Sequence, residues 1–213
     1  MALYGLKSSG AAFRSLLAET LHDLDYKPSK ADPDIWMRIN IKLNGFQYYE
    51  YVLCYVDDIL SISEKPLGTM YGLRNRFKMK GDKVAEPEDY LGAQLPKMHE
   101  NDGTGRQFWL MSSEKYCKAA ILNVEDQLNQ EGKQLPSKCR TPTMSGYAAE
   151  MDVTAELKAT GIQYYQDMIG VLRWACDIGC VDMLLETLLL STYLACPRLG
   201  HLEQAIHIFG YLK

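Results

Sequence analysis

Two adjacent aspartates, Asp57 and Asp58, stand between two strand-like runs in the segment EYVLCYVDDILSIS, residues 50–63. Neighbouring side chains of a regular strand point to opposite faces, so adjacent carboxylates act together only where the backbone turns sharply. A hairpin tip between the two runs supplies such a turn, and carboxylates held close together favour a divalent cation. Mg²⁺ prefers hard oxygen ligands, and the chemistry that uses such a pair is two-metal phosphoryl or nucleotidyl transfer. The alternative is a plain turn, because aspartate side chains also bond nearby backbone amides.

The elements that must position this tip follow from apolar spacing. A helix capped by Ser8 or Ser9 carries an apolar stripe, and strands over 35–63 turn at Asn44-Gly45 and again at Asp57-Asp58. A second helix is expected over 70–79, and YLGAQLPKM and RQFWLMS are expected to pair as strands. From Ser113 the pattern is helical, apart from a loop over 129–146. The sequence therefore predicts an α+β protein whose second half is mainly helical.

Composition excludes several classes of protein. The 213 residues are 47% hydrophobic with a net charge of −4, which argues against holding nucleic acid by bulk electrostatics. Six scattered cysteines and the lack of a signal peptide predict a reduced, intracellular protein in the cytoplasm or nucleus. The most apolar segment, VDMLLETLLLSTYLA, contains two carboxylates and is too short to cross a bilayer, so no membrane partner is expected.

Several further segments, taken in order, carry a resemblance to a known family. They are LYGLK at 3–7, DPDIW, YVDD, FKMKGD with YLG at 90–92, FWLMSSEKYCKAAIL, CRTPT, YQDMIGVLRWA and the terminal FGYLK. In this order and spacing the chain resembles the reverse transcriptase of Ty1/copia-type LTR retrotransposons, an RNA-directed DNA polymerase, from its palm motif through the connection region. The resemblance implies a partial palm (a β-hairpin plus helices) at 1–95, a thumb-like region and linker at 96–160, and a helical connection-like region at 161–213.

The resemblance also implies the site. Asp57 and Asp58 match the catalytic, metal-binding carboxylates, which use Mg²⁺ or Mn²⁺, and the implied partners are an RNA or DNA template-primer and deoxynucleotides. The residues implied in nucleotide or primer binding are Tyr55, Val56, Gly5, Lys7, Tyr90, Leu91 and Gly92.

The family's pattern is not complete in this sequence. Relatives carry a further metal-binding aspartate upstream of LYGLK, and Asp32 and Asp34 beside Pro33 suit a turn better than a replacement for it. The expectation is a fragment of a longer transposition polyprotein that is inactive alone and depends on the missing regions. The alternatives are a non-catalytic folded remnant, a module that binds nucleic acid or a partner, or an unstable chain with an exposed sheet edge and core face.

Other constellations admit a structural interpretation. Cys176, Cys180, Cys196 and His201 lack the spacing of a structural zinc site. The basic residues Arg74, Arg76, Lys78, Lys80 and Lys83 fit a primer backbone or a solvated surface equally well. Among the tyrosines before the tip, packing is expected for Tyr48, Tyr49 and Tyr51, and a site role for Tyr55 alone.

Overall fold

Helices and antiparallel strands together build this protein in the computed structural model, which describes residues 8–79, 84–100 and 104–213. The predicted α+β class is confirmed. Internal contacts divide the chain into two units, residues 1–91 and 92–213.

The first unit contains a four-stranded antiparallel sheet with two helices. Its elements are α1 (Ser9–Asp23), β1 (Lys27–Pro28), β2 (Ile35–Ile41), β3 (Gln47–Tyr55), β4 (Asp58–Ile62), α2 (Pro66–Arg74) and the short strand β5 (Asp89–Tyr90). The sheet order is β1-β2-β3-β4. Ser8 is the N-cap residue of α1, as predicted, although its side chain makes no capping bond. Helix α2 begins earlier than predicted, at Pro66, because proline suits a first helical position, where no N–H partner is needed.

The strand register assigns the side chains of the sheet to two faces. Trp36, Val52 and Ile59 share the face that packs on α1 and α2, here called the helix-side face. Leu17, Leu21 and Leu73 of the two helices complete that core. The predicted turn between β2 and β3 is confirmed: Gly45 has φ +81°. There the Asn44 side chain accepts the Phe46 N–H at 3.1 Å.

A buried carboxylate lies on the helix-side face among these apolar residues. Glu50 is 1% exposed and accepts two hydrogen bonds from Arg38, at 2.9 and 2.5 Å. Its other oxygen accepts from Asn40 and Tyr48, each at 3.0 Å, and from the Ser63 hydroxyl. Burial raises the pKa of Glu50, but these hydrogen bonds outweigh burial and lower it from 4.5 to about 2. The carboxylate therefore stays charged inside the protein.

The opposite face of the sheet, here called the outer face, is also apolar. Ile39, Ile41, Tyr49 and Ile62 are each between 49% and 65% exposed. The described helices of the first unit pack on the other side of the sheet. An antiparallel sheet with one solvated face normally alternates apolar and polar residues, so this sheet has the pattern of one covered on both faces.

The second unit is mainly helical. Its strands are β6 (Ala93–Gln94), β7 (Lys97–His99) and β8 (Gln107–Trp109), and its helices are α3 (Glu114–Gln130), α4 (Ala159–Asp177), α5 (Leu184–Ser191) and α6 (Leu199–Leu212). The predicted strand pairing is confirmed for β7 and β8, over fewer residues than expected. The predicted stripe of α4, Tyr165, Met168, Ile169 and Leu172, is fully buried or nearly so. Within the described ranges, no helix is both long and apolar enough to span a membrane.

Replacing Glu50 by glutamine is expected to destabilise the first unit by about 3 kcal/mol, because the Arg38 charge loses its buried partner. The matched control is Glu64→Gln, which removes a surface pair with Lys42 and is expected to cost less than about 1 kcal/mol.

The stability of the first unit is also expected to depend on pH. Because folding lowers the pKa of Glu50, its contribution to the free energy of unfolding is present above pH 4.5 and is lost as the pH falls towards 2. Urea unfolding between pH 2 and 7 measures both effects, and equal losses in the two variants would contradict the assignment.

Because its outer face exposes apolar side chains, the folded protein is expected to bind a hydrophobic dye such as anilinonaphthalene sulfonate. Ile39→Lys is expected to lower the dye fluorescence and any self-association seen in sedimentation. Gln47→Lys, on the same face at an already polar position, adds the same charge without removing apolar surface and is expected to change neither. An equal response of both variants would attribute the effect to charge rather than to apolar surface.

Candidate functional site

The two aspartates lie at the tip of the hairpin formed by β3 and β4. The last paired residues are Tyr55 and Asp58, so the loop consists of Val56 and Asp57 alone. The predicted turn position, Asp57-Asp58, is wrong by one residue, because pairing continues to Asp58 and makes that residue the start of β4. Asp57 therefore belongs to the loop, whereas Asp58 is the first residue of β4.

Val56 holds an unusual backbone conformation. Its φ is +54°, in the left-handed region, and its side chain is 75% exposed. A positive φ at the first loop residue is the pattern of a type II′ turn, which normally has glycine there. For a β-branched residue this conformation is an outlier that costs on the order of 1–3 kcal/mol. The sequence contains a sign of this strain: the tight turn between the two apolar runs has no glycine or asparagine to adopt a positive φ. The prediction from apolar spacing did not use this sign.

Asp57 and Asp58 are both exposed, so water and cations reach them. Their oxygens are the ligands that Mg²⁺ prefers, and the chemistry of this pair fits such an ion. Within the described residues, no group of three or more acidic, histidine or cysteine side chains is arranged to hold a metal. Among the described residues, the tip thus offers two carboxylates to a cation.

Tyr90 is close to the tip within the first unit. Burial, with smaller contributions from Cys54 and the Asp58 carboxylate, raises its pKa to about 12. Tyr55, opposite Asp58 in the register, is 48% exposed. Both tyrosines expected near a primer or nucleotide therefore lie beside the second carboxylate.

The turn after Tyr90 has two consecutive residues with positive φ, Leu91 at +54° and Gly92 at +85°. Gly92 belongs to the second unit. A methyl group at Gly92 would meet Trp174 at 3.7 Å and Tyr116 at 3.8 Å. Glycine is favoured here by its backbone conformation, since these contacts alone are ordinary van der Waals distances.

Some residues with a predicted role in binding lie outside the described residues, and another forms ion pairs within the fold. Gly5 and Lys7, like Lys80 and Lys83 of the basic run, lie outside the described residues. Arg76 pairs with Glu19 at 3.3 Å and with Asp23 at 2.7 Å on α1, which favours a structural role.

The two aspartates beside Pro33 are engaged in a turn. Asp32 accepts the backbone N–H of Asp34 at 2.9 Å, and Asp34 accepts a hydrogen bond from Arg14 at 2.6 Å. The first contact is that of a turn residue, as the sequence indicated, and the second is an ion pair with α1.

The tyrosines before the tip differ from one another. Tyr48 donates to Glu50, whereas Tyr49 is 52% exposed and lies 6.2 Å from the Tyr51 ring. The predicted packing of Tyr49 is therefore wrong, because about half of this side chain is exposed on the outer face.

His201 and Cys176 are held by bonds of their own. The Nδ1 atom of His201 accepts a hydrogen bond from the Arg198 N–H at 3.0 Å. Its Nε2 atom lies 3.0 Å from the Ala149 carbonyl oxygen. The Cys176 thiol lies 3.8 Å from the Thr187 hydroxyl. These contacts account for both side chains as parts of the helical core.

No protein-family model, no curated protein and no solved structure matches this chain.

Val56→Gly is expected to stabilise the protein by up to about 1 kcal/mol, because glycine adopts the positive φ without strain. Ile41→Gly is the matched control: Ile41 is also β-branched, exposed and in the same sheet, but its φ is not positive. That change is expected to destabilise by about 1 kcal/mol. Thermal unfolding by circular dichroism measures both, and a loss of stability in Val56→Gly would contradict the assigned strain.

Proposed function

We propose that this chain is the reverse-transcriptase portion of a copia-type retrotransposon polyprotein, with the hairpin tip as a metal-binding element. The observation that carries the proposal is the pair of exposed carboxylates at the hairpin tip: Asp57 follows a valine at positive φ in the two-residue loop, and Asp58 is the first residue of β4. A loop selected only for turning places glycine or asparagine at such a position. Strain retained beside paired carboxylates fits a site whose geometry matters more than its stability.

In this proposal Asp57 and Asp58 hold Mg²⁺ or Mn²⁺, which stabilises the charge of a phosphate in transfer. Tyr55 offers an exposed ring on which a base of the primer or nucleotide stacks. The half-buried Tyr90 lies beside Asp58, where its hydroxyl stays protonated and serves as a hydrogen-bond donor. The partners are an RNA or DNA template-primer and deoxynucleotides inside the cell.

Two carboxylates make a sparse ligand set for nucleotidyl transfer, which normally clamps two metal ions. We therefore propose that the chain alone binds a cation weakly and does not extend a primer, and that the remaining acidic ligand comes from another region of the polyprotein. The second candidate is a non-catalytic remnant that keeps the hairpin without using a metal. The observation that favours it is that the described residues bring no third acidic side chain to the pair.

Titration with Mn²⁺, followed by electron paramagnetic resonance, tests the proposed metal site. Wild type is expected to bind with a dissociation constant of roughly 1 mM, in the range of weak carboxylate sites, and Asp57→Asn is expected to bind at least several-fold more weakly. The matched control is Asp25→Asn, an exposed aspartate of the same unit outside the hairpin tip, which is expected to leave binding unchanged. Equal binding by wild type and Asp57→Asn would favour the remnant.

Primer extension on RNA and DNA templates with the same proteins tests the limit on catalysis. No extension by the folded chain is expected. Extension that disappears in Asp57→Asn would support the polymerase assignment and contradict the need for another region.

A further inference from the structure

Two cysteines distant in sequence bring their sulfur atoms together in the second unit. Cys117 lies in the first turn of α3, and Cys180 lies just beyond the end of α4. Their Sγ atoms are 3.6 Å apart, although 63 positions separate the residues in sequence. Both are free thiols.

The backbone on each side of this pair is fixed by hydrogen bonds. The Cys117 N–H donates to the Ser113 carbonyl at 2.9 Å, and the Cys180 N–H donates to the Ala175 carbonyl at 2.9 Å. The Ser113 hydroxyl also lies 3.2 Å from the Cys180 sulfur. Because the backbone of both residues is held by hydrogen bonds, the fold itself places the two sulfur atoms next to each other. Rotation of the two side chains then shortens the Sγ–Sγ distance to that of a disulfide bond.

The geometry points to an oxidation site: we propose that Cys117 and Cys180 form a reversible disulfide when the protein meets a peroxide. This inference is independent of the proposed polymerase function.

The reaction balances with one equivalent of hydrogen peroxide. The Cys180 thiolate attacks one peroxide oxygen, the O–O bond breaks, and the sulfenic acid and, after protonation, one water result. The Cys117 sulfur then attacks the Cys180 sulfur, the S–O bond breaks, and hydroxide leaves as a second water with the Cys117 proton. Two thiols lose two electrons in all, and a dithiol reductant restores them.

The difference in burial determines which of the two sulfurs is oxidised first. Cys180 is half-buried, whereas Cys117 is 8% exposed, so peroxide reaches Cys180 first. Burial raises the pKa of Cys117 to about 11, which keeps this thiol protonated and protected from direct oxidation at neutral pH. Cys176 is the third thiol nearby, but it is 4% exposed and bonded to Thr187.

The test is oxidation of the reduced, folded protein by one equivalent of hydrogen peroxide, followed by thiol blocking, trypsin digestion and mass spectrometry. Trypsin releases Cys117 in the tripeptide Tyr116-Cys117-Lys118 and Cys180 in a peptide that begins at Trp174. The expected product is a link between these two peptides, with fragmentation placing the bond at Cys180. Thermal unfolding of the oxidised protein is expected to shift upwards by at least about 5 °C, because the link closes a long loop.

Matched serine variants separate this pair from the other thiols. Cys176→Ser and Cys196→Ser are expected to keep the link and the thermal shift, whereas Cys117→Ser is expected to lose both. A link that maps to Cys176 or Cys196, or a wild type that keeps all its thiols after oxidation, would overturn the proposal. The mapping on wild type holds even if a variant fails to fold.

Discussion

The buried carboxylate of Glu50 is the constraint on which the first unit's sheet depends. Its hydrogen-bond donors come from β2, from β3 and from Ser63 just after β4, and Arg38 also donates to the Leu24 carbonyl at the end of α1. A slip of one residue would turn Glu50 to the outer face and leave the half-buried Arg38 guanidinium without its carboxylate partner. The register of three strands is thereby fixed by one polar cluster inside an apolar core.

The same register determines the tip. Once β3 and β4 are aligned through Tyr51 and Ile62, pairing runs to Tyr55 and Asp58 and leaves only Val56 and Asp57 to turn the chain. A valine in the left-handed region persists because the strands on both sides are held elsewhere. The rigid part of the sheet thus maintains the strained part, which carries the candidate chemistry.

Much of this architecture was accessible from sequence. Apolar periodicity located α1, the strands β2 to β4 and the buried stripe of α4, and Asn44-Gly45 identified a turn by its own chemistry. The role of Glu50 was not accessible, because an isolated charge in a strand pattern does not reveal partners twelve or thirteen residues away. The approach of Cys117 to Cys180 depends on the packing of α3 against the end of α4, which local patterns do not encode. The exposure of Tyr49 on the outer face was not predicted for the same reason.

The order of strands in the sheet also has a consequence for how the protein is made. Because β1, β2, β3 and β4 are neighbours in sequence as well as in space, their contacts are local. Sheets of low contact order form quickly, and domains generally fold as units during synthesis, starting from the N-terminus. We therefore expect the hairpin to form on the ribosome before the helices of the second unit are complete, so that the nascent chain presents its apolar outer face to chaperones early in its life.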